Sequence, residues 1–281
     1  MFTIKEYVRP SSLEEAYEIL SKNKTNTILG GLLWLKMGKK NINTAIDLSS
    51  LNLNKIEEKD DEFHIGSMVT LRDLELNKVL NDEFQDIFKE SVKHIVGVQF
   101  RNLATVGGSI YSRFGFSDVL AAFLTLDSYV VSHKRGIISL EEFSKLPYEK
   151  DIIEKIIVKK NKSKNIYFTH RLSETDLPVL IVSLSKIGDN WKIVIGGRPN
   201  RAEIAKEASK VLSNNPTKEE IEIVCDKVVS ELVFGSNMRG SKEYREILAK
   251  VFVKRGIQEL IGGNYVWLLK FGLIINFILM T

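Results

Sequence analysis

Two glycine pairs are the residues of this sequence best placed to do chemistry. The first closes the run Ile28-Leu29-Gly30-Gly31 and is followed by Leu32, Leu33 and Trp34. The second lies in Thr105-Val106-Gly107-Gly108-Ser109, so that Gly31 and Gly107 stand about 76 positions apart. A glycine pair admits positive φ and lets a ligand approach the main chain with no Cβ in the way, and amides freed by such a turn form an anion-binding nest. A pyrophosphate suits that chemistry. Taken alone, either pair is more often a plain tight turn. Neither has the Gly-Lys-Ser/Thr of a Walker A loop nor the G-x-G-x-x-G spacing of a Rossmann fingerprint, so the standard nucleotide motifs are absent. Their pairing raises the ligand reading, as does the segment Tyr111-Ser-Arg-Phe-Gly-Phe-Ser-Asp118 after the second.

Other candidates fall away on spacing. His64, His94, His133 and His170 are scattered, and no pair has the i, i+4 separation of a helical metal site. Cys225 is the only cysteine. The chain alone therefore builds no disulfide and no cysteine-ligated iron–sulfur cluster, and a reducing cytoplasm is the compartment expected. Cys225 falls on an expected surface helix with no histidine near it in sequence, so no Cys/His pair is read there.

The elements that must position the glycine turns follow from periodicity and punctuation. Phe2 to Val8 reads as a strand, Ser11 or Ser12 as the cap of a helix with an apolar stripe at Leu13, Ala16, Tyr17 and Leu20, and Thr27 to Leu29 and Thr44 to Leu48 as two further strands. A short helical stretch runs from Leu32 to Met37. Residues 54–58 and 62–66 read as a hairpin, Thr70 as a cap, and Asp82 to Val96 as one helical stretch. Asp118 to Leu126 is apolar nearly all round and is expected to be buried. Strands at 128–132, 136–140 and 152–158 precede a Lys/Asn-rich boundary at Lys159 to Asn165. Three antiparallel strands (166–170, 179–186, 191–195) and helices at 202–212, 218–225 and 241–253 then make a compact α+β unit.

The charges, 40 Lys plus Arg against 36 Asp plus Glu, are interspersed rather than gathered into a basic stripe, which argues against nucleic acid as a partner. With Lys5, Glu6 and Arg9 and no apolar run, the first ten residues do not read as a secretory signal. From Tyr265 the sequence is almost wholly apolar but short of the roughly 20 residues a spanning helix needs, so no membrane span is expected. A terminal helix, an interface segment or an aberrant tail are the open readings.

Four motifs in one order then resemble a known family. Leu29-Gly-Gly-Leu-Leu-Trp-Leu-Lys-Met37 is similar to the first FAD-pyrophosphate loop of the flavin subunits of molybdenum hydroxylases, A-G-G-T-D-L-L-x-x-M-K. Arg101-Asn-Leu-Ala-Thr-Val-Gly-Gly-Ser109 resembles the second, R-N-x-G-T-I-G-G-N, with Asp118 at the aspartate of the following P-x-x-D-L. His170-Arg171 with Thr175-Asp176-Leu-Pro178 resembles R-x-x-x-D-I-A, and Asn237 to Arg245 resembles D-x-R-G-S-x-x-Y-R. The resemblance runs collinearly from Tyr7 to about Leu260.

It implies an α+β fold: a vanillyl-alcohol-oxidase-type FAD-binding domain at 1–160, with α/β subdomains at about 1–53 and 54–160, a C-terminal three-stranded antiparallel sheet with helices at 161–262, and an apolar tail at 263–281. It implies non-covalent FAD, with the pyrophosphate on main-chain N–H groups from Leu29 to Leu33, phosphate and ribityl oxygens at Thr105 to Ser109, and a sugar hydroxyl on Asp118. Asp118 read alone is equally a helix N-terminal acid. Ile95 and Ile153 align with apolar residues flanking the isoalloxazine, and each also fits a core stripe. Arg239, Tyr244 and Arg245 read as docking for the last helix.

The chain departs from the family at Leu32-Leu33, where Thr-Asp is usual, at Ser109 for Asn, and at Phe168, where some relatives have lysine. The implied partners are an iron–sulfur subunit and a molybdopterin-binding large subunit, with NAD as one acceptor. The expected function is electron transfer through FAD in a xanthine dehydrogenase-like oxidoreductase. A scaffold that has lost FAD and a stand-alone flavin oxidoreductase are the competing readings.

Overall fold

The computed structural model describes residues 2–262, so the apolar tail and every reading of it lie outside the described residues. The chain begins with β1 (Thr3–Val8), α1 (Leu13–Lys22), β2 (Thr27–Leu29), α2 (Leu33–Met37) and β3 (Asn41–Asp47). Ser12 caps α1, its hydroxyl accepting from Glu15 N at 3.1 Å. Ala16 and Leu20 on the inner face of α1 pack with Ile46 and Leu48. The strands form a parallel sheet in the order β1-β3-β2, which directs the C-terminal end of β2 straight into the first glycine pair.

A second unit follows: β4 (Ile56–Glu58), β5 (Glu62–Gly66), α3 (Leu71–Leu76), α4 (Lys78–Glu83), α5 (Ile87–Val92), α6 (Val98–Arg101), α7 (Val106–Ser112), α8 (Asp118–Thr125), β6 (Ser128–Ser132), β7 (Gly136–Ser139), α9 (Leu140–Lys145) and β8 (Ile153–Lys159). Its five strands are antiparallel in the order β4-β5-β8-β6-β7. The single helix expected over 82–96 is divided into α4 and α5. Gln85 and Asp86 take positive φ there, and buried Asn81 stabilises the break by donating to Leu74 O and Asn77 O and accepting from Lys89 N.

The third unit comprises β9 (Lys164–His170), β10 (Leu180–Ile187), β11 (Asn190–Gly196), β12 (Glu203–Ile204), α10 (Lys206–Ser209), α11 (Lys218–Glu231) and α12 (Lys242–Leu260). The three expected antiparallel strands are present, with two-residue β12 added at the edge. β12 and one turn of helix replace the helix expected over 202–212. α11 and α12 run beyond their expected ends and pack on each other, which buries Cys225 where the sequence suggested a surface position.

α8 explains how the units join. All eight of its residues are buried, because it packs on α5 and α7 on one side and on β10 and β11 on the other. A helix covered on both sides has no need of a polar stripe, which is why its sequence is apolar nearly all round. β10 likewise is buried through its first six residues, between α8 and α12. Among the described residues no helix is long and apolar enough to cross a membrane.

Candidate functional site

The glycine turns, far apart in sequence, abut in space. A Cβ built on Gly30 would lie 3.1 Å from Thr105 Oγ1 and 3.5 Å from Gly108 Cα, and one on Gly108 would lie 3.5 Å from Gly30 O. Gly31 alone of the four has positive φ, at 81°, and a Cβ there would fall 1.9 Å from Leu103 O. Its glycine is thus needed for the packing of one turn on the other as well as for the turn itself.

The two turns offer different chemistry. In the second, Val106 N donates to Val69 O, Gly107 N to Ser67 O at 2.8 Å, and Gly108 N to the Thr105 cap hydroxyl at 3.2 Å. Those amides are spoken for, and Gly107 is buried against Ser67 at the start of α7. The first turn is open: the amides of Gly31, Leu32 and Leu33 have no hydrogen-bond partner among the described residues. Gly31 and Leu32 both have positive φ, so three successive N–H groups remain at the entrance to α2. The side chains of Leu32 and Leu33 pack against neighbouring apolar clusters. Replacing the family's Thr-Asp by leucines thus removes side-chain partners and leaves the amides. A cradle of unpaired amides between two glycine walls fits a pyrophosphate.

Around it, Trp34 is 45% exposed and meets Phe114 and Phe116 at ring-centroid distances of 5.8 and 5.6 Å. Ser109 is half-buried, its hydroxyl donating to Thr105 O. Ile95 is tied to the second turn by Arg101, whose Nη1 donates to Ile95 O at 3.2 Å while its Nε pairs with Glu75 at 2.8 Å. Ile28 and Leu29 lean into small apolar clusters on the parallel sheet. Ile153 lies in the large core at the start of β8 and lines a small cavity together with Tyr111 of α7 and Arg113 at its C-terminal cap.

Asp118 is buried at the seam between the second and third units. Its Oδ1 accepts from Tyr167 Oη and from Arg171 Nη2, both at 2.6 Å. Burial holds its carboxyl above the usual value against the pull of Arg171, and burial beside Asp118 lifts the Tyr167 hydroxyl well above its own. Arg171 stood out in the sequence through its motif, without a partner assigned to it, and Tyr167 did not. Alternation along β9 could have found Tyr167 and Thr169 on one face, with Phe168 turned away to meet Phe252 at 5.7 Å. The position where some relatives have lysine is therefore packed against α12. On the Asp118 side, Thr169 Oγ1 and Arg171 Nε are buried with no hydrogen-bond partner among the described residues. A cavity of about 430 Å³ opens elsewhere, between α9 and the segment after β11, but its Lys145 and Arg198 are already paired with Glu141 and Glu203.

Over residues 2–160 the chain matches the family described as the FAD binding domain in molybdopterin dehydrogenase, and over 179–260 the CO dehydrogenase flavoprotein C-terminal domain. The chain belongs to this family. It is a FAD-binding medium subunit of the molybdenum hydroxylase type, and so a subunit of an oxidoreductase. Similar proteins include the glyceraldehyde dehydrogenase medium chain of Sulfolobus acidocaldarius, 24% identical over 90% of this chain and 97% of its own length. The nicotine 6-hydroxylase medium subunit of Paenarthrobacter nicotinovorans is 26% identical over 90% and 96%. Among solved structures, quinoline 2-oxidoreductase from Pseudomonas putida 86 superposes with a TM-score of 0.82 at 18% identity, covering 93% of this chain and 98% of that one. CO dehydrogenase from Oligotropha carboxidovorans gives 0.83 at 20% identity, covering 92% and 98%. At such identities the superpositions establish the molybdenum-hydroxylase flavoprotein fold.

Proposed function

We propose that this flavoprotein is the electron relay of a molybdenum hydroxylase complex. Electrons pass from an iron–sulfur subunit through non-covalently held FAD to NAD or another acceptor, while a molybdopterin-binding large subunit oxidises the substrate. The observation that carries the reading is the convergence of two distant glycine turns around three unpaired amides. With a single cysteine the chain cannot ligate a cluster that needs several thiolates, so the electron donor belongs to a partner. The names of the relatives, medium chain and medium subunit, support a multi-subunit assembly.

Bound FAD supplies the exchange between single-electron and two-electron carriers, while the protein binds and orients it. In this reading the N–H groups of Gly31, Leu32 and Leu33 hold the pyrophosphate. Gly30 and Gly108 keep the cradle wall free of side chains, Gly107 lets α7 start against Ser67, Val106 anchors that start in the core, and Thr105 and Ser109 present hydroxyls beside it. Ile28 and Leu29 anchor the first turn to its sheet. A sugar hydroxyl reaching Asp118 meets a carboxylate already oriented by Arg171 and Tyr167, and Ile95 and Ile153 contribute apolar surface toward the flavin.

Tagged chain recovered from its native host at gentle salt is expected to bring with it an iron–sulfur subunit and a large molybdenum subunit, and to release FAD on acid or heat treatment. Recovery as a lone flavoenzyme that reduces substrate would replace the relay by a stand-alone enzyme. A colourless chain that takes up no added FAD would favour the scaffold.

A further inference from the structure

Four aromatic rings gather beside the glycine turns, contributed by three separate segments. Trp34 lies on α2, three residues after Gly31; Phe100 lies on α6, just before the second turn; Phe114 and Phe116 follow α7. Trp34 is 6.4 Å from Phe100 at 77° and 5.8 Å from Phe114 at 64°, and Phe114 and Phe116 are stacked at 5.1 Å and 14°. Rings packed this way usually close a core. These do not, since Trp34 is 45% and Phe114 37% exposed, with Leu103 at 50% and Met37 at 76% nearby. Apolar surface of this kind, continuous with a ligand cradle, is stabilised when a flat partner covers it.

We propose that the exposed side of Trp34, walled by the steeply inclined Phe114 and Phe116, is the platform on which the isoalloxazine ring of the bound dinucleotide stacks. The inference rests on the FAD reading and names the residues that meet its ring. Of the two rings in FAD, the isoalloxazine is the one with an apolar dimethylbenzene portion wide enough to span several side chains, and its opposite edge is polar. The exposed residues that share the platform's segments, Leu103 and Met37, are apolar as well. Adenine, smaller and polar around its rim, has no such match here. The glycine turns position the phosphates, and the platform sets where the redox ring lies and how far water reaches it.

The emission of the flavin itself reads this contact, because a tryptophan ring stacked on isoalloxazine quenches it by electron transfer and adenine stacked there would not report on Trp34. Full-length chain loaded with FAD is compared with Trp34→Leu, Trp34→Phe and Phe114→Ala, each checked for fold by circular dichroism. Quenched emission in the wild type, recovered severalfold in Trp34→Leu with flavin still bound, is the expected result. FAD affinity should fall about five- to tenfold in Trp34→Leu and Phe114→Ala and less than about threefold in Trp34→Phe. Emission and affinity in Trp34→Leu and Phe114→Ala equal to wild type would overturn the platform and leave the FAD reading intact. A wild-type chain that takes up no FAD would overturn both.

Discussion

Arg245 shows how a single side chain can hold a domain without any acid to pair with. It is fully buried, and its guanidinium donates to Val179 O, Gly197 O, Gly235 O, Gly240 O and Asn237 Oδ1. The five acceptors belong to three separate loop segments, so one planar donor fork ties the start of α12 to the start of β10 and the end of β11. The structural role read from its motif stands. An ammonium has three donors and no fixed fork, so Arg245→Lys leaves buried carbonyls unsatisfied and is expected to lower unfolding free energy by about 3 kcal/mol. Urea denaturation checks it. An unchanged midpoint would mean that those carbonyls find water in the variant.

At the level of elements, the α11–α12 pair makes a test of its own packing. Cys225 lies on the α11 face turned to α12, with Sγ donating to Lys250 O at 3.4 Å. Burial pushes its thiol up to about 11. The reactive species is the thiolate, present at only about one part in a thousand at pH 8 for such a thiol. Iodoacetamide should therefore label folded protein very slowly at pH 8, faster as pH approaches 11, and rapidly at pH 8 once urea separates the helices. Because the sequence has one cysteine, the mass shift is unambiguous. Labelling of the folded chain at the unfolded rate would show that the two helices do not close over it.

For the whole molecule, the Asp118–Arg171 pair is the polar counterpart of the apolar seam made by α8. Both side chains are nearly inaccessible, at 5% and 6%. Removing one partner of a buried pair leaves an uncompensated charge, and Arg171→Met is expected to cost about 3–5 kcal/mol at pH 8. The pH dependence has a definite sign. Arg171 is what opposes the rise of the Asp118 carboxyl caused by burial, so in the variant the folded-state value rises further above that of the unfolded chain. A folded state that favours the protonated acid loses stability as pH rises through that raised value. The deficit should thus be smaller at pH 5 than at pH 8 in parallel urea titrations. Equal deficits would mean that Arg171 is not what opposes the burial-driven rise of the Asp118 carboxyl.

Much of this was legible in the sequence for local reasons. Ser12 and Thr70 mark helix starts because a cap and its answering acid lie three residues apart, and the β4–β5 hairpin is announced by alternation around Lys59-Asp60-Asp61. The glycine pairs, Asp118 and the Asn237 to Arg245 segment could be picked out because their spacing is a property of the chain itself. The break at Gln85 and Asp86 was hidden, since apolar spacing continues across it and only the positive φ of those residues and the side-chain hydrogen bonds of Asn81 reveal it. Nor could any pattern show that Gly30 rests on Gly108, that the amides of the second turn are consumed by Ser67, Val69 and Thr105 while those of the first stay free, or that Tyr167 and Arg171 converge on Asp118. Those facts depend on contacts between residues tens of positions apart. Local periodicity says which face of an element is buried, and only the packed chain decides what that face is buried against.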